Sequence, residues 1–460
     1  MSPRGSRSIG PILGVLGVAL AFCPGAAEAS GGSAAPAAGG PELFGVPVDF
    51  FLFGLTLLGV ALFHHKTLQV AVTGLTVITV YKLLFAPFAT GAGFAGLAGH
   101  LHHEWVIVAN LFCLLMGFGL LANHFEQSEV PKVLPKYLPD DWKGALVLLI
   151  MVFVLSSFLD NIAAALIGGA MAHTVFNKKV HIGYLAAIVA ASNAGGSGSV
   201  VGDTTTTMMW INGIAPSAVL HAYAAAFVAL FVCGIPASMQ QHKHSPILKD
   251  QPDDTHIDWG RVLVVALTLA AAISVNVFVN VQHPDLADAF PFIGVAVVLA
   301  LLVTAPLRKP EWSLLPESLK GTCFLLSLVL AATMMPVERL PLASWQTAFG
   351  LGFLSAVFDN IPLTALAIAQ GGYDWGMLAY TVGYGGSMIW FGSSAGVAIS
   401  NMYPQAKSVG QWLKHGWHVT LAYVVGFFVL LFVLGWHPTP EGHPTPVDTP
   451  AAEAPATVGY

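Results

Sequence analysis

The chain has 460 residues, of which 55% are hydrophobic and only 9% charged, with mean hydropathy +0.72 and net charge −6. That is more apolar surface than a soluble domain can cover, so the sequence reads as an all-α polytopic membrane protein. The small acidic balance is spread over loops and tail and excludes a nucleic-acid partner. Cys23 lies in the leader and Cys113, Cys233 and Cys323 stand singly in apolar runs, which excludes a disulfide framework or a cysteine metal site.

Residues 1–29 combine a basic start (Arg4, Arg7), an apolar run from Ile9 to Phe22 and the small-residue site Ala27-Glu28-Ala29. This is a signal-peptide pattern, with an uncleaved extra helix as the alternative. A periplasmic spacer is expected over residues 30–43, and a first repeat over 44–235. It opens with membrane-crossing runs at Phe44 to Phe63, Thr67 to Phe85 and Glu104 to Leu121. Next come two short apolar arms, Gly144 to Leu159 and Ile162 to Phe176, joined only by Asp160-Asn161. Arms of about fifteen residues, at about 1.5 Å per residue, cannot cross a core of about 30 Å, so residues 144–176 are expected to form a re-entrant hairpin. Residues 182–214 follow as a broken helix, because four glycines, Asp203 and Thr204, Thr205, Thr206 and Thr207 interrupt its apolar flanks. Non-helical backbone at membrane depth survives only where it is buried in protein or lines a watery cavity. A run from Ser217 to Ile235 and a cytoplasmic loop over 236–260 complete this half.

The second half, residues 261–436, opens with runs at Arg261 to Val281, Phe290 to Ala305 and Leu319 to Met335, and then repeats the pattern. Leu159-Asp160-Asn161-Ile162 is echoed by Phe358-Asp359-Asn360-Ile361 between short arms, giving a second hairpin over 342–370. Gly195-Gly196-Ser197 with Gly202-Asp203 is echoed by Gly385-Gly386-Ser387 with Gly392-Ser393, giving a second broken helix over 375–402. A last run from His415 to Trp436 precedes a Pro-rich tail, residues 437–460, expected to be disordered and periplasmic. With a periplasmic mature N-terminus and two re-entrant hairpins, 14 lysines and arginines fall on the cytoplasmic side against one, Arg339, outside. Five helices and a hairpin, repeated upside down, is the inverted-repeat plan of secondary transporters, with the site at the repeat interface.

Asp160, Asp203 and Asp359 lie at expected membrane depth beside helix breaks, where a charge costs about 2.5 to 3.5 kcal/mol and is normally kept for function. Burial favours the protonated carboxyl and a nearby cation the ionised one, so a proton and a hard cation compete for such a group. Oxygen ligands are available from Asp203, Thr204 to Thr207, Asn161, Asn193, Asn360, Ser387, Ser393 and Ser394, and the central sodium ligands are expected to be Asp203, Asp160 and Asn161. No lysine or arginine falls at either hairpin tip or break, which argues against an anionic substrate. Asp203 is matched by Ser393, so the principal site is assigned to the first copy, with the second as a weaker site or a purely structural partner. Plainer readings exist for each motif: Asp-Asn turns can satisfy local backbone donors, glycine pairs can be packing contacts, and threonines can bond back to their own helix. His64-His65, His100, His102-His103-Glu104 and His242-Lys243-His244 are read as solvated loops or span ends, with pH sensing as the alternative.

At these motifs the chain resembles the NhaD-type sodium/proton antiporters of the broad ion-transporter superfamily, which also contains citrate, dicarboxylate and arsenite carriers. The resemblance rests on Leu159-Asp160-Asn161, Asn193 to Gly196 through Gly202 to Met208, Asp359 to Leu363, and Gly385 to Met388 through Gly392 to Val397. It implies Na⁺ or Li⁺ exchange for H⁺ across the bacterial inner membrane, with elevator-like movement of hairpins and broken helices against a fixed scaffold. Val200-Val201 stand where the family usually has a proline before Gly-Asp, and Ser197-Gly198 where a small residue and an aromatic are usual. Expected partners are Na⁺ or Li⁺, protons, the bilayer and, as oligomer, a second copy, with no cofactor. The rival readings are a sodium-coupled carrier of an organic anion or oxyanion and, more remotely, an intramembrane aspartyl protease using Asp203 and a second aspartate.

Overall fold

Apolar runs bounded by capping residues set the architecture, which among the described residues is built of helices, with one two-stranded ribbon, Glu42–Leu43 paired antiparallel with Val46–Pro47, and one isolated bridge between Phe88 and Gly91. The computed structural model describes residues 40–63, 66–133, 138–247, 256–283, 286 and 289–439. The expected leader over 1–29, most of the spacer, His64-His65 and the tail from 440 lie outside the described residues.

The helices of eight or more residues are, in order, α1 (Val48–Leu62), α2 (Thr67–Phe85), α3 (Gly93–Glu126), α4 (Trp142–Ser156), α5 (Asn161–Val175), α6 (Ile182–Ser197), α7 (Thr204–Ile211) and α8 (Ala222–His244). Then come α9 (Trp259–Val277), α10 (Phe292–Thr304), α11 (Leu315–Thr333), α12 (Trp345–Ser355), α13 (Asn360–Gln370), α14 (Trp375–Gly385), α15 (Ser394–Met402) and α16 (Trp417–Leu434). Six helical stretches among the described residues are long and apolar enough to cross a membrane: α2, α3, α8 with its short lead-in from Pro216, α9, α11 with its lead-in from Trp312, and α16. The chain is an all-α polytopic membrane protein.

Several boundaries differ from the hydropathy reading. The third run is a 34-residue helix, about 51 Å long, because the glycines and histidines before Glu104 continue the helix beyond the apolar stretch. His100, His102 and His103 therefore lie on a helix and not in a loop, and His100 is buried with Nε2 3.2 Å from Thr333 Oγ1. The segment read as a loop from residue 236 begins as helix: α8 passes through Pro236 to His244, so His242 and His244 occupy its last turn.

The helices fall into two groups. In one, α1 packs on α2, α2 on α11, and α3 on α9, α10 and α11. In the other, α8 packs on α16, α6 and α4, while α5 packs on α15 and α12 on α14. The groups meet chiefly where α11 packs on α13. At the centre of the second group are α6 and α14. Every residue from Gly183 to Ser197, and every residue of α14, is buried, as befits helices that are apolar or small all round.

Local chemistry fixes where each short helix begins. Asp160 Oδ2 accepts from Ile162 N at 3.2 Å, Asp203 Oδ1 from Thr205 N at 3.1 Å and Asp359 Oδ1 from Ile361 N at 3.0 Å, while Ser393 Oγ accepts from Gly396 N at 3.2 Å. All four are N-caps, so α5, α7, α13 and α15 start at the four motif positions. Positive-φ Gly371, at +71°, ends α13.

Candidate functional site

The two motif units share contacts residue by residue. Ser156 Oγ donates to Ser192 O at 2.6 Å, and Ser355 Oγ donates to Val382 O at 2.7 Å, so each hairpin is tied to its broken helix at the same place. A methyl group on Gly195 would strike Phe153 O, and one on Gly385 would strike Gly352 O. Glycine is required here because the hairpin backbone lies directly against the helix. The plain packing reading of the glycine pairs is therefore correct as far as it goes, and that packing builds the site.

Across the units a polar chain is continuous. Asn161 Nδ2 donates to Asn193 Oδ1 at 3.0 Å; Asn193 Nδ2 then donates to Ser387 Oγ at 2.9 Å and Ser393 Oγ at 3.1 Å. Asn161, Asn193, Ser387 and Ser393 are thus one buried network drawn from α5, α6, the break after α14 and the start of α15. Trp412 Nε1 donates to Ser387 O at 3.2 Å and holds this break from behind.

Asp203 is 2% exposed and faces α14, where a methyl group on Gly383 would lie 3.5 Å from its Oδ2. One carboxylate oxygen caps α7, whereas Oδ2 is buried and, among the described residues, has no hydrogen-bond partner. A buried charged oxygen left this way is costly unless it takes a proton or a cation. Among the described residues Asn360 Nδ2 is also buried without a hydrogen-bond partner, and the buried Thr205 hydroxyl stands beside the Asp203 carboxylate. Thr204, the first residue of α7, is buried beside them in sequence.

Thr206 and Thr207 do something different. Thr206 Oγ1 donates to Ser199 O at 2.6 Å and Asp203 O at 2.9 Å, and Thr207 Oγ1 donates to Val200 O and Asp203 O, each at 2.9 Å. These hydroxyls tie down the unwound segment 198–203 by satisfying carbonyls that have left the helix.

Asp359 accepts at Oδ2 from Ser394 Oγ at 3.3 Å, which joins the second hairpin tip to α15. Both side chains line a cavity of about 140 Å³ between the two helix groups, with Leu57, Val60, Thr67 and Phe324 on its other wall. Asp160 caps α5, and among the described residues its side chain makes no hydrogen bond to Asn193, Ser387 or Ser393.

Two features escaped the sequence reading. Gly383 carries no chemistry of its own, and its place beside Asp203 is visible only in three dimensions. Lys82 is buried on α2 with Nζ 2.8 Å from Met334 O and 3.4 Å from buried Asp49 Oδ1. Its signal was present: Asp49 and Lys82 are lone opposite charges within two adjacent apolar runs. Among the described residues no group of three or more histidines, cysteines or acids could hold a metal ion.

No family model matches the chain. Its relatives are proteins named sodium/proton antiporters. Sodium/proton antiporter 1 of Arabidopsis thaliana is 27% identical over 54% of this chain and 49% of its own length. Sodium/proton antiporter 2 of the same plant is 26% identical over 54% of this chain and 67% of its own. The Na(+)/H(+) antiporter NhaD of Vibrio parahaemolyticus is 24% identical over 65% of this chain and 84% of its own. The chain spans about half the length of the first of these relatives, and all three are named as transporters and not as enzymes.

Proposed function

We propose that the chain is a secondary transporter that exchanges Na⁺, or Li⁺, for H⁺ across the bacterial inner membrane, with Asp203 alternately protonated and cation-bound. The observation that carries this reading is the Asp203 Oδ2 atom, buried and unpartnered at the junction of the two motif units. A single carboxylate oxygen in such surroundings holds either a proton or a cation, and that exclusion combined with alternating access gives exchange. The names of the relatives support the same cation pair.

Asp160, Asn161 and Asn360 bound the carrier from the two hairpin tips, Thr204 and Thr205 open the helix that follows Asp203, and Thr206 and Thr207 hold its loop. Ser387, Ser393 and Asn193 form the facing wall. The hairpin arms, 15 and 15 residues in the first unit and 11 and 11 in the second, reach about 22 Å and about 16 Å, short of a core of about 30 Å. That supports two re-entrant hairpins in inverted repeats, with periplasmic termini as the basic residues suggest. The helix group holding the motifs moves against α1–α3 and α9–α11, and the cavity lined by Asp359 and Ser394 lies on that boundary.

The test uses everted vesicles from cells lacking their own antiporters, with a ΔpH-sensitive dye, challenged with NaCl, LiCl or KCl at alkaline pH. Dye recovery with Na⁺ or Li⁺ is expected. Silence in every salt from inserted protein would reject the reading.

A further inference from the structure

The two units differ at Asn193, whose counterpart is Gly383, and at Asp203, whose counterpart is Ser393, and these two differences locate the cation. The contacts of Ser156 with Ser192 O and of Ser355 with Val382 O put Asn193 and Gly383 at equivalent places, one residue further along each helix. In the same correspondence Asn161 matches Asn360, Ser197 matches Ser387, and Asp203 matches Ser393. The Asn193 side chain is fully engaged: Oδ1 accepts from Asn161, and Nδ2 donates to Ser387 and Ser393. By the same correspondence a side chain at Gly383 would have Asn360, Ser197 and Asp203 as its partners, and glycine supplies no side chain to meet them. A methyl group there would lie 3.3 Å from Ser197 Cβ and 3.5 Å from Asp203 Oδ2. Asn360 Nδ2 and Asp203 Oδ2, the two atoms that an asparagine at this position would satisfy, are buried without partners.

We propose that the space beside Gly383 is the seat of the transported monovalent cation, and that the equivalent space in the second unit is permanently filled by the Asn193 amide, so each chain carries one cation site. This rests on the reading of Asp203 as the carrier. The charge pattern decides the occupant. Where Asn193 places a neutral N–H donor against two hydroxyl oxygens, the Gly383 side presents the Asp203 carboxylate oxygen, with Ser197 as the counterpart of Ser387. Ser197 Oγ gives its proton to Ala194 O at 2.8 Å and keeps a lone pair for the seat. Asn360 turns its amide oxygen to the same point by rotation about its last torsion. An all-oxygen seat with one negative charge suits a hard monovalent cation, and a proton on Asp203 removes that charge. In the second unit the amide stands where the cation would, and Ser393 supplies no charge to attract one.

The experiment measures ²²Na⁺ binding and salt-dependent melting of the purified full-length protein at alkaline pH, for wild type, Gly383→Asn and Gly383→Ala. The wild type is expected to bind one Na⁺ per chain. Gly383→Asn should lose binding yet melt, without salt, at or above the wild-type temperature, because its amide satisfies Asn360 and Asp203. Gly383→Ala, which adds one methyl group to the seat, should weaken binding by about tenfold or more. Wild-type affinity in Gly383→Asn, a Gly383→Asn protein that does not melt cooperatively, or two bound Na⁺ per wild-type chain would each overturn the proposal. Absence of Na⁺ and Li⁺ binding in the wild type would instead reject the antiport reading on which it rests.

Discussion

Asn193 Nδ2 donates to Ser393 Oγ at 3.1 Å, joining residues 200 positions apart and closing the boundary between the two motif units. The same amide group also receives the Asn161 hydrogen bond, so one side chain links a hairpin tip to both broken helices. Asn193→Ala should therefore cost about 1–3 kcal/mol, the penalty of leaving buried polar partners unmatched, and lower transport. Thermal melting alongside vesicle assays checks both; an unchanged melting temperature would show that the network contributes no stability.

Close backbone approach makes an opposite pair of glycine predictions. Gly195→Ala drives a methyl group into Phe153 O and should destabilise the protein by about 1–3 kcal/mol, whereas Gly350→Ala, on α12, meets nothing within 4 Å and should gain up to about 1 kcal/mol of helix propensity. Fluorescence-detected size exclusion after heating would rank the two. Equal tolerance would contradict the packing described.

The Lys82–Asp49 pair is 5% and 3% exposed at the side chains. Lys82→Met leaves Asp49 buried without its cation and should cost about 3–5 kcal/mol, while Lys82→Met with Asp49→Leu should recover most of that loss. A double-mutant cycle on melting temperature reads the coupling directly. Additive losses would mean that the pair does not act as a pair.

At the start of α6 three imidazoles meet: the His181 ring lies 5.0 Å from that of His415 and 5.4 Å from that of His244. Burial first, then the like charge of His415 and His244, holds His181 below its ordinary value of 6.5. The unfolded chain consequently binds more protons than the folded one as pH falls through about 6.5, so stability declines with acidification across that window. His181 Nδ1 also caps α6 by accepting from Gly183 N at 3.2 Å. His181→Asn keeps a capping acceptor and removes the titration, and should flatten the fall in melting temperature between about pH 7.5 and about pH 5.5. An equally steep fall in the variant would place the acid sensitivity elsewhere.

The motif units were legible because their signals are local. A carboxylate or serine at a helix start, a glycine pair, and an arm too short to cross all appear within a few residues, and the starts of α5, α7, α13 and α15 follow from them. What was hidden has a common physical cause. Hydropathy reports transfer into apolar surroundings, not helix continuity, so the polar first turns of α3 and the last turns of α8 were read as loop. Four threonines in a row are alike in sequence, yet Thr206 and Thr207 turn their hydroxyls to carbonyls of the loop, a choice made by the unwound backbone. Gly383 acquires meaning only through Asp203 and Ser197, which are contributed by the other unit.

The most direct test of the account reconstitutes wild type and Asp203→Asn in proteoliposomes and follows ²²Na⁺ uptake driven by an imposed pH gradient. The variant keeps the shape of the side chain and its capping of Thr205 N, so the fold should persist. The account predicts gradient-driven Na⁺ uptake by wild type and none by the variant. Undiminished uptake by Asp203→Asn would show that another group carries the exchanged ions.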